Sequence, residues 1–164
     1  MIELSVIRDF VAIFGVMAGL TYYVLTVRNQ RKARQAQLLM GLYETYRSKE
    51  FRQDVIEIRS QEYTDFDDFW EKYGEETNPD AWTSWLTVAS FFNGVGVLLK
   101  RNMIDIVLVE DLLSNVVFGM WSRMHVPLYG YREWQTRTVI GQEILHGFEY
   151  LYEQLSQRAT VPLN

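Results

Sequence analysis

Residues 10–27, Phe-Val-Ala-Ile-Phe-Gly-Val-Met-Ala-Gly-Leu-Thr-Tyr-Tyr-Val-Leu-Thr-Val, form an eighteen-residue run without a single charge. At ~1.5 Å of rise per residue, such a helix covers roughly 27 Å, close to the ~30 Å hydrocarbon core of a bilayer. Thr21 and Thr26 interrupt the run, but a threonine hydroxyl in a helix can bond back to a carbonyl one turn earlier. The run therefore reads as one membrane-crossing helix. Arg8 and Asp9 precede it, whereas Arg28, Arg31, Lys32 and Arg34 follow it. The basic cluster predicts a cytoplasmic C-terminal side, an outside N-terminus and contact with lipid headgroups. Tyr22 and Tyr23 fall near that end, where amphipathic rings favour the interface. A secretory signal peptide would need a basic start and small residues for cleavage; here Glu3 and Asp9 come first and no Ala-x-Ala follows. Gly15 and Gly19 are spaced as Gly-x-x-x-Gly, a pattern that lets a second membrane helix approach closely.

The rest of the chain is long enough for one domain with its own core. Hydrophobic residues make up 48% of the sequence and aromatic residues 15%, which argues against disorder. The net charge is −5 although the basic residues cluster beside the span, so the remainder is acidic and nucleic acid is not an expected partner. Without cysteine, the chain has no disulfides, thiolate metal sites or cysteine nucleophiles. The expected organisation is an anchor over 1–28, a basic juxtamembrane amphipathic helix over 29–47, a helical soluble domain over 48–158 and a frayed tail over 159–164. The fold class is all-α: one transmembrane helix followed by a cytoplasmic helical bundle.

Helical periodicity supports this division. Leu38, Leu42 and Tyr46 recur every four residues, flanked by Leu39 and Tyr43, and neither Pro nor Gly interrupts 28–40. Ser48 is placed to cap a helix carrying Phe51, Val55 and Ile58 on one face. A short acidic-headed helix follows, burying Phe66, Phe69, Trp70 and Tyr73. Asn78 and Pro79 open the next helix as cap and first residue. That helix, 82–99, is apolar on most sides, which marks the hub of the domain; a second membrane span is the alternative. Asn102 suits its left-handed end and Asp105 begins the following helix, which Pro127 is expected to end. A last helix is expected over 129–157, with Thr138 and Gly141 letting a neighbour come close, at Ala89 or Gly96.

Few residues suggest chemistry. Glu143 and His146 have the Glu-x-x-His spacing of di-iron bundles. A full set needs a second copy and two more glutamates; the other histidine, His125, has Ser122 at the matching position. His146 is therefore expected to face solvent, and His125 to sit at a helix end whose dipole favours its charged form. Arg132 and Arg137 bracket Trp134, a candidate interaction patch for an acidic partner or headgroups. No catalytic, cofactor-binding or metal residue is assigned, and no small-molecule substrate is identified.

The stretch 46–158 resembles an uncharacterised prokaryotic family, domain of unknown function 4760. The resemblance rests on Phe91-Phe92-Asn93-Gly94-Val95-Gly96, on Asn102-Met103-Ile104-Asp105, and on Trp121 with Pro127 and Arg132. The family pattern has a glutamate at the position of Asn93 and a glycine at that of Met103. The resemblance implies an all-helical fold with membrane attachment, no established activity, and Arg132 as the first position to mutate. The expected role is an anchor, adaptor or small subunit of a membrane assembly, working through a protein partner or as a homo-oligomer. Alternatives are a channel-like oligomer lined by the 10–27 helices, and a membrane-tethered enzyme using Glu110, Asp111, Arg132 or His146.

Overall fold

The computed structural model describes residues 4–135 and 145–159. Every regular element among them is helical: α1 (Leu4–Arg47), α2 (Lys49–Ser60), α3 (Phe66–Tyr73), α4 (Pro79–Lys100), α5 (Ile106–Gln135) and α6 (His146–Ala159). The chain divides into two compact units, residues 1–37 and 38–164.

The first unit is the N-terminal part of α1. The second contains the hydrophobic core, into which Leu39 of α1 is buried with Leu38, Leu42, Tyr43 and Tyr46 packed beside it. Helix α4 occupies the centre: Trp85, Val88, Ala89, Phe92 and Val95 are inaccessible to solvent. α4 has the length and apolarity of a membrane span, yet half of its most apolar window is buried within the protein. It is thus the core helix of the bundle, with α2 and α6 as its main neighbours and α5 packing on α6 and α3. Aromatic rings fill the space between helices. Trp82 stacks on Trp85 at 5.1 Å, and Phe92 stacks on Phe148 of α6 at 4.9 Å.

The helix ends follow side-chain chemistry. Ser48 accepts the Phe51 amide at 3.2 Å, Asp65 that of Asp68 at 2.9 Å, and Asn78 that of Ala81 at 3.2 Å. Each satisfies an amide that the first helical turn leaves unpaired. The Asp68 carboxylate in turn accepts the amide of Thr64, the residue before the cap, at 3.0 Å, which fixes the entry of the chain into α3. At the end of α4, Asn102 adopts φ 54°. The Met103 amide then donates to the Leu98 carbonyl and the Asn102 amide to the Leu99 carbonyl, the paired bonds of a Schellman motif. Asp105 caps α5 by accepting the Val107 amide at 2.8 Å.

Two sequence expectations are corrected. Pro127 does not end a helix; α5 runs through it to Gln135. Proline lacks the amide that would have bonded the carbonyl four residues back, that of Arg123. The Tyr63 hydroxyl supplies the missing donor to the Arg123 carbonyl, and the Pro127 ring is buried in the core. In consequence His125 lies inside α5 rather than at its end. There its Nδ1 is 3.0 Å from the Trp121 carbonyl and its ring stacks on Trp121.

Nor do residues 129–157 form one helix. Tyr129, Tyr131, Arg132 and Trp134 belong to α5, whereas α6 starts only at His146. Leu145, directly before it, has φ 59°, a left-handed conformation that no continuing α-helix accommodates. Thr138, Gly141, Glu143 and the tail beyond 159 lie outside the described residues. Among the described residues a close approach to α4 falls at Gly147: a Cβ built on Gly96 would run into the Gly147 carbonyl group. At this crossing the Asn93 side chain accepts the Gly147 amide at 2.8 Å, so α4 caps the start of α6 from outside.

Candidate functional site

Two surfaces in the chain have chemistry that could serve a function, one in each unit. In the first unit, the apolar side chains of 10–27 are exposed all round, from 40% at Val27 to 77% at Phe14. None of the most apolar window of this helix is buried by the protein. The Thr21 hydroxyl donates to the Met17 carbonyl at 2.9 Å and that of Thr26 to the Tyr22 carbonyl at 2.8 Å, so both donors are satisfied by the helix that carries them. A Cβ on Gly15 or Gly19 would meet nothing within 4 Å. Both glycines therefore leave the backbone bare on an open helix side. Arg28, Arg31, Lys32 and Arg34 are all exposed along the next turns.

In the second unit, α5 and the first turn of α6 gather charged groups around one carboxylate. Arg132, only 9% exposed, places Nη1 2.6 Å from Glu149 Oε2. The Tyr129 hydroxyl donates to Oε1 of the same carboxylate at 2.7 Å, and His146 Nδ1 lies 3.5 Å from Oε2. The Arg132 guanidinium also lies 5.5 Å from the centre of the Tyr129 ring. Burial pushes the Glu149 carboxyl upward, but the hydrogen bonds from Arg132 and Tyr129 and the nearby positive charges outweigh it, leaving Glu149 below its ordinary value. Burial, and next the bond to Glu149, push the Tyr129 phenol up to about 12. Tyr129 is accordingly a proton donor throughout the physiological range.

Of the expected interaction patch, the two described residues, Arg132 and Trp134, have different surroundings. Arg132 turns inward to Glu149, and Arg137 lies outside the described residues. Trp134 is exposed on one side and packs on the other against Trp70, with ring centres 5.1 Å apart, and Tyr131, 6.0 Å away. Of the four residues considered for catalysis, Arg132 and His146 meet at Glu149, Glu110 pairs with Arg158 at 2.6 Å, and Asp111 is exposed. Glu149 itself escaped the sequence reading. Nothing local marks it, since Glu149 and Glu153 read as an ordinary polar side of α6 beside the buried Phe148, Leu151 and Leu155. Among the described residues no three His, Asp or Glu side chains converge as metal ligands.

No curated protein matches the chain, and no solved structure does. A family model does match, over residues 10–155, so the match takes in the exposed apolar helix as well as the bundle that the sequence motifs had pointed to. With so much of its length covered, from the uncharged run to the end of α6, the chain belongs to the family described as Domain of unknown function (DUF4760).

Proposed function

We propose that the protein is a single-pass membrane protein of the cell membrane, its N-terminus outside and its helical domain in the cytoplasm, acting as an anchor, adaptor or small subunit of a membrane assembly. The observation that carries this reading is the 10–27 surface, apolar around its whole circumference and covered by none of the described residues. An apolar surface of that extent in water costs about 25 cal/mol for each Å² left exposed. A bilayer removes the cost. The exposed Arg28, Arg31, Lys32 and Arg34 support the orientation, because basic residues stay on the cytoplasmic side. Lipid is one partner in this account. The other is a protein helix, either of a different chain or of a second copy, seated on the open side at Gly15 and Gly19. A pore lined by 10–27 is disfavoured, since the Thr21 and Thr26 hydroxyls already serve their own helix.

Alkaline carbonate extraction of cell membranes tests the anchor: the full chain is expected in the pellet, and release into the supernatant would oppose an integral anchor. Crosslinking in the same membranes tests the partner. Gly15→Ile with Gly19→Ile should abolish the crosslinked species formed through this helix, and an unchanged pattern would remove the glycine face from the account.

A further inference from the structure

An open groove where α3 meets α5 is used by neither the anchor nor the Glu149 cluster. It is lined by Phe66, Gly130 and Trp134 and by the acidic Asp65, Asp67 and Glu133. Its apolar part has a local cause. A Cβ on Gly130 would run into the Phe66 side chain, so the bare glycine backbone is what lets Phe66 lie against α5.

Trp134 is the informative residue. It packs against Trp70, with ring centres 5.1 Å apart, and still leaves 51% of its surface exposed. The other four tryptophans lie in the core or packed against it. A half-exposed indole forgoes burial that a partner would restore, and tryptophan is a frequent anchor of protein interfaces. The surrounding charge selects the occupant. In the sequence Arg132 and Arg137 bracket Trp134, which favours an acidic partner. The structure reverses that sign. The Arg132 guanidinium turns to Glu149, and every charged side chain lining the groove among the described residues is acidic. Asp65 caps α3 with one oxygen, while Asp67 and Glu133 are exposed beside the indole. The excess extends along the chain: residues 62–80 carry eight acidic side chains against one base, Lys72, which is itself 2.9 Å from Asp68. Such a field attracts cations, and an indole face flanked by carboxylates holds one by its ring quadrupole and by charge-assisted hydrogen bonds together. Arginine suits both contacts, because its planar guanidinium stacks on a ring while donating from its edge.

We propose that this groove docks a basic segment of a partner protein, one arginine guanidinium lying on the exposed face of Trp134 and hydrogen-bonded to Asp67 and Glu133. The proposal rests on the adaptor reading and gives its partner a chemistry. The two fail separately: loss of binding here leaves the membrane anchor and the glycine face untouched, and release of the chain by carbonate leaves the groove as it is.

The test uses the full chain in an uncharged detergent and a dye-labelled, end-blocked peptide, Ala-Ala-Arg-Ala-Ala-Arg-Ala-Ala. Fluorescence anisotropy reads the affinity. The Trp134 indole N–H resonance, identified by its loss in Trp134→Phe, reads the position. The arginine peptide should bind saturably and shift that resonance. The same peptide with citrulline in place of arginine keeps the shape without the charge and should bind about tenfold more weakly. Trp134→Ala should weaken the arginine peptide about threefold. Asp67→Asn with Glu133→Gln, near-isosteric changes at exposed positions, should weaken it about tenfold. Glu75→Gln with Glu76→Gln removes the same charge from the acidic stretch outside the groove and should weaken it about twofold or less, since exposed charges at a distance are screened. The proposal is overturned by the absence of saturable binding, by binding that leaves the Trp134 resonance unmoved, or by equal losses from the two double variants, which would mean attraction to diffuse negative charge alone.

Discussion

At the residue scale, Tyr63 and Pro127 form a pair that neither position announces alone. Proline inside a helix leaves one carbonyl without a donor, and here a phenol from another element takes the place of the amide. Burial pushes the Tyr63 hydroxyl up to about 12, against the opposing influence of Arg123, so it keeps its proton at neutral pH. Tyr63→Phe should therefore destabilise the second unit by about 0.5–1.5 kcal/mol, the net contribution of one hydrogen bond whose acceptor water can reach. Pro127→Ala restores the amide, so Tyr63→Phe should cost much less in that background. Urea unfolding of the four variants measures the coupling; strict additivity would contradict this reading. Arg132 poses a second residue-scale question. Arg132→Ala removes the guanidinium from a half-buried Glu149 carboxylate that keeps Tyr129 and His146 beside it and should cost about 1–3 kcal/mol, whereas replacing both partners with apolar residues should cost less. The pH dependence has a definite sign. Because the Glu149 pKa is depressed in the folded state, its contribution is complete above the unfolded carboxylate value of about 4.3 and is lost as the pH falls from there through the folded value. An acid titration of stability should show this loss in the native chain and lack it in the doubly apolar variant.

At the element scale, the crossing of α4 and α6 depends on missing side chains. A Cβ on Gly96 would run into the backbone of Gly147, which cannot yield as a flexible side chain could. Gly96→Ala is expected to cost at least the ~1–3 kcal/mol of an overpacked core. Two residues earlier on the same helix, Gly94 faces open space, so Gly94→Ala should be neutral or stabilise by up to ~1 kcal/mol through helix propensity. A comparison of their denaturation midpoints separates close packing from propensity, and equal effects would refute the crossing. The caps of α2 and α4 were legible because Ser48 and Asn78 each act on an amide three residues away, and Asp65 and Asp105, which the sequence marked only as acidic helix starts, act over the same short range. The cap of α6 was not legible, since Asn93 acts on Gly147 across 54 positions of sequence. The same limit explains Pro127: its helix-breaking tendency is local information, and the tyrosine that overrides it comes from another part of the chain. Leu145 gave no warning either, because leucine seldom adopts positive φ and only tertiary packing holds it there.

At the scale of the whole molecule, the sequence conveyed an all-helical chain with an apolar N-terminal helix and a bundle built around α4, because each depends on periodicity and run length. The candidate site was legible to a smaller extent. The exposed apolar surface is a property of consecutive residues, whereas the Arg132–Glu149 cluster arises only when separate elements meet. The central claim is that residues 10–27 lie in a bilayer. The absence of native cysteine makes labelling with a membrane-impermeant maleimide a direct measurement. Met17 is 60% exposed on the isolated chain, so the protein itself cannot shield a cysteine placed there. Ala36, beyond the basic cluster, is exposed as well. In intact cells, Ser5→Cys should label, and Met17→Cys and Ala36→Cys should not. After the membrane is opened without being dissolved, Ala36→Cys should label while Met17→Cys stays protected until detergent is added. Labelling of Met17→Cys at the rate of Ala36→Cys in the opened membrane would contradict the account.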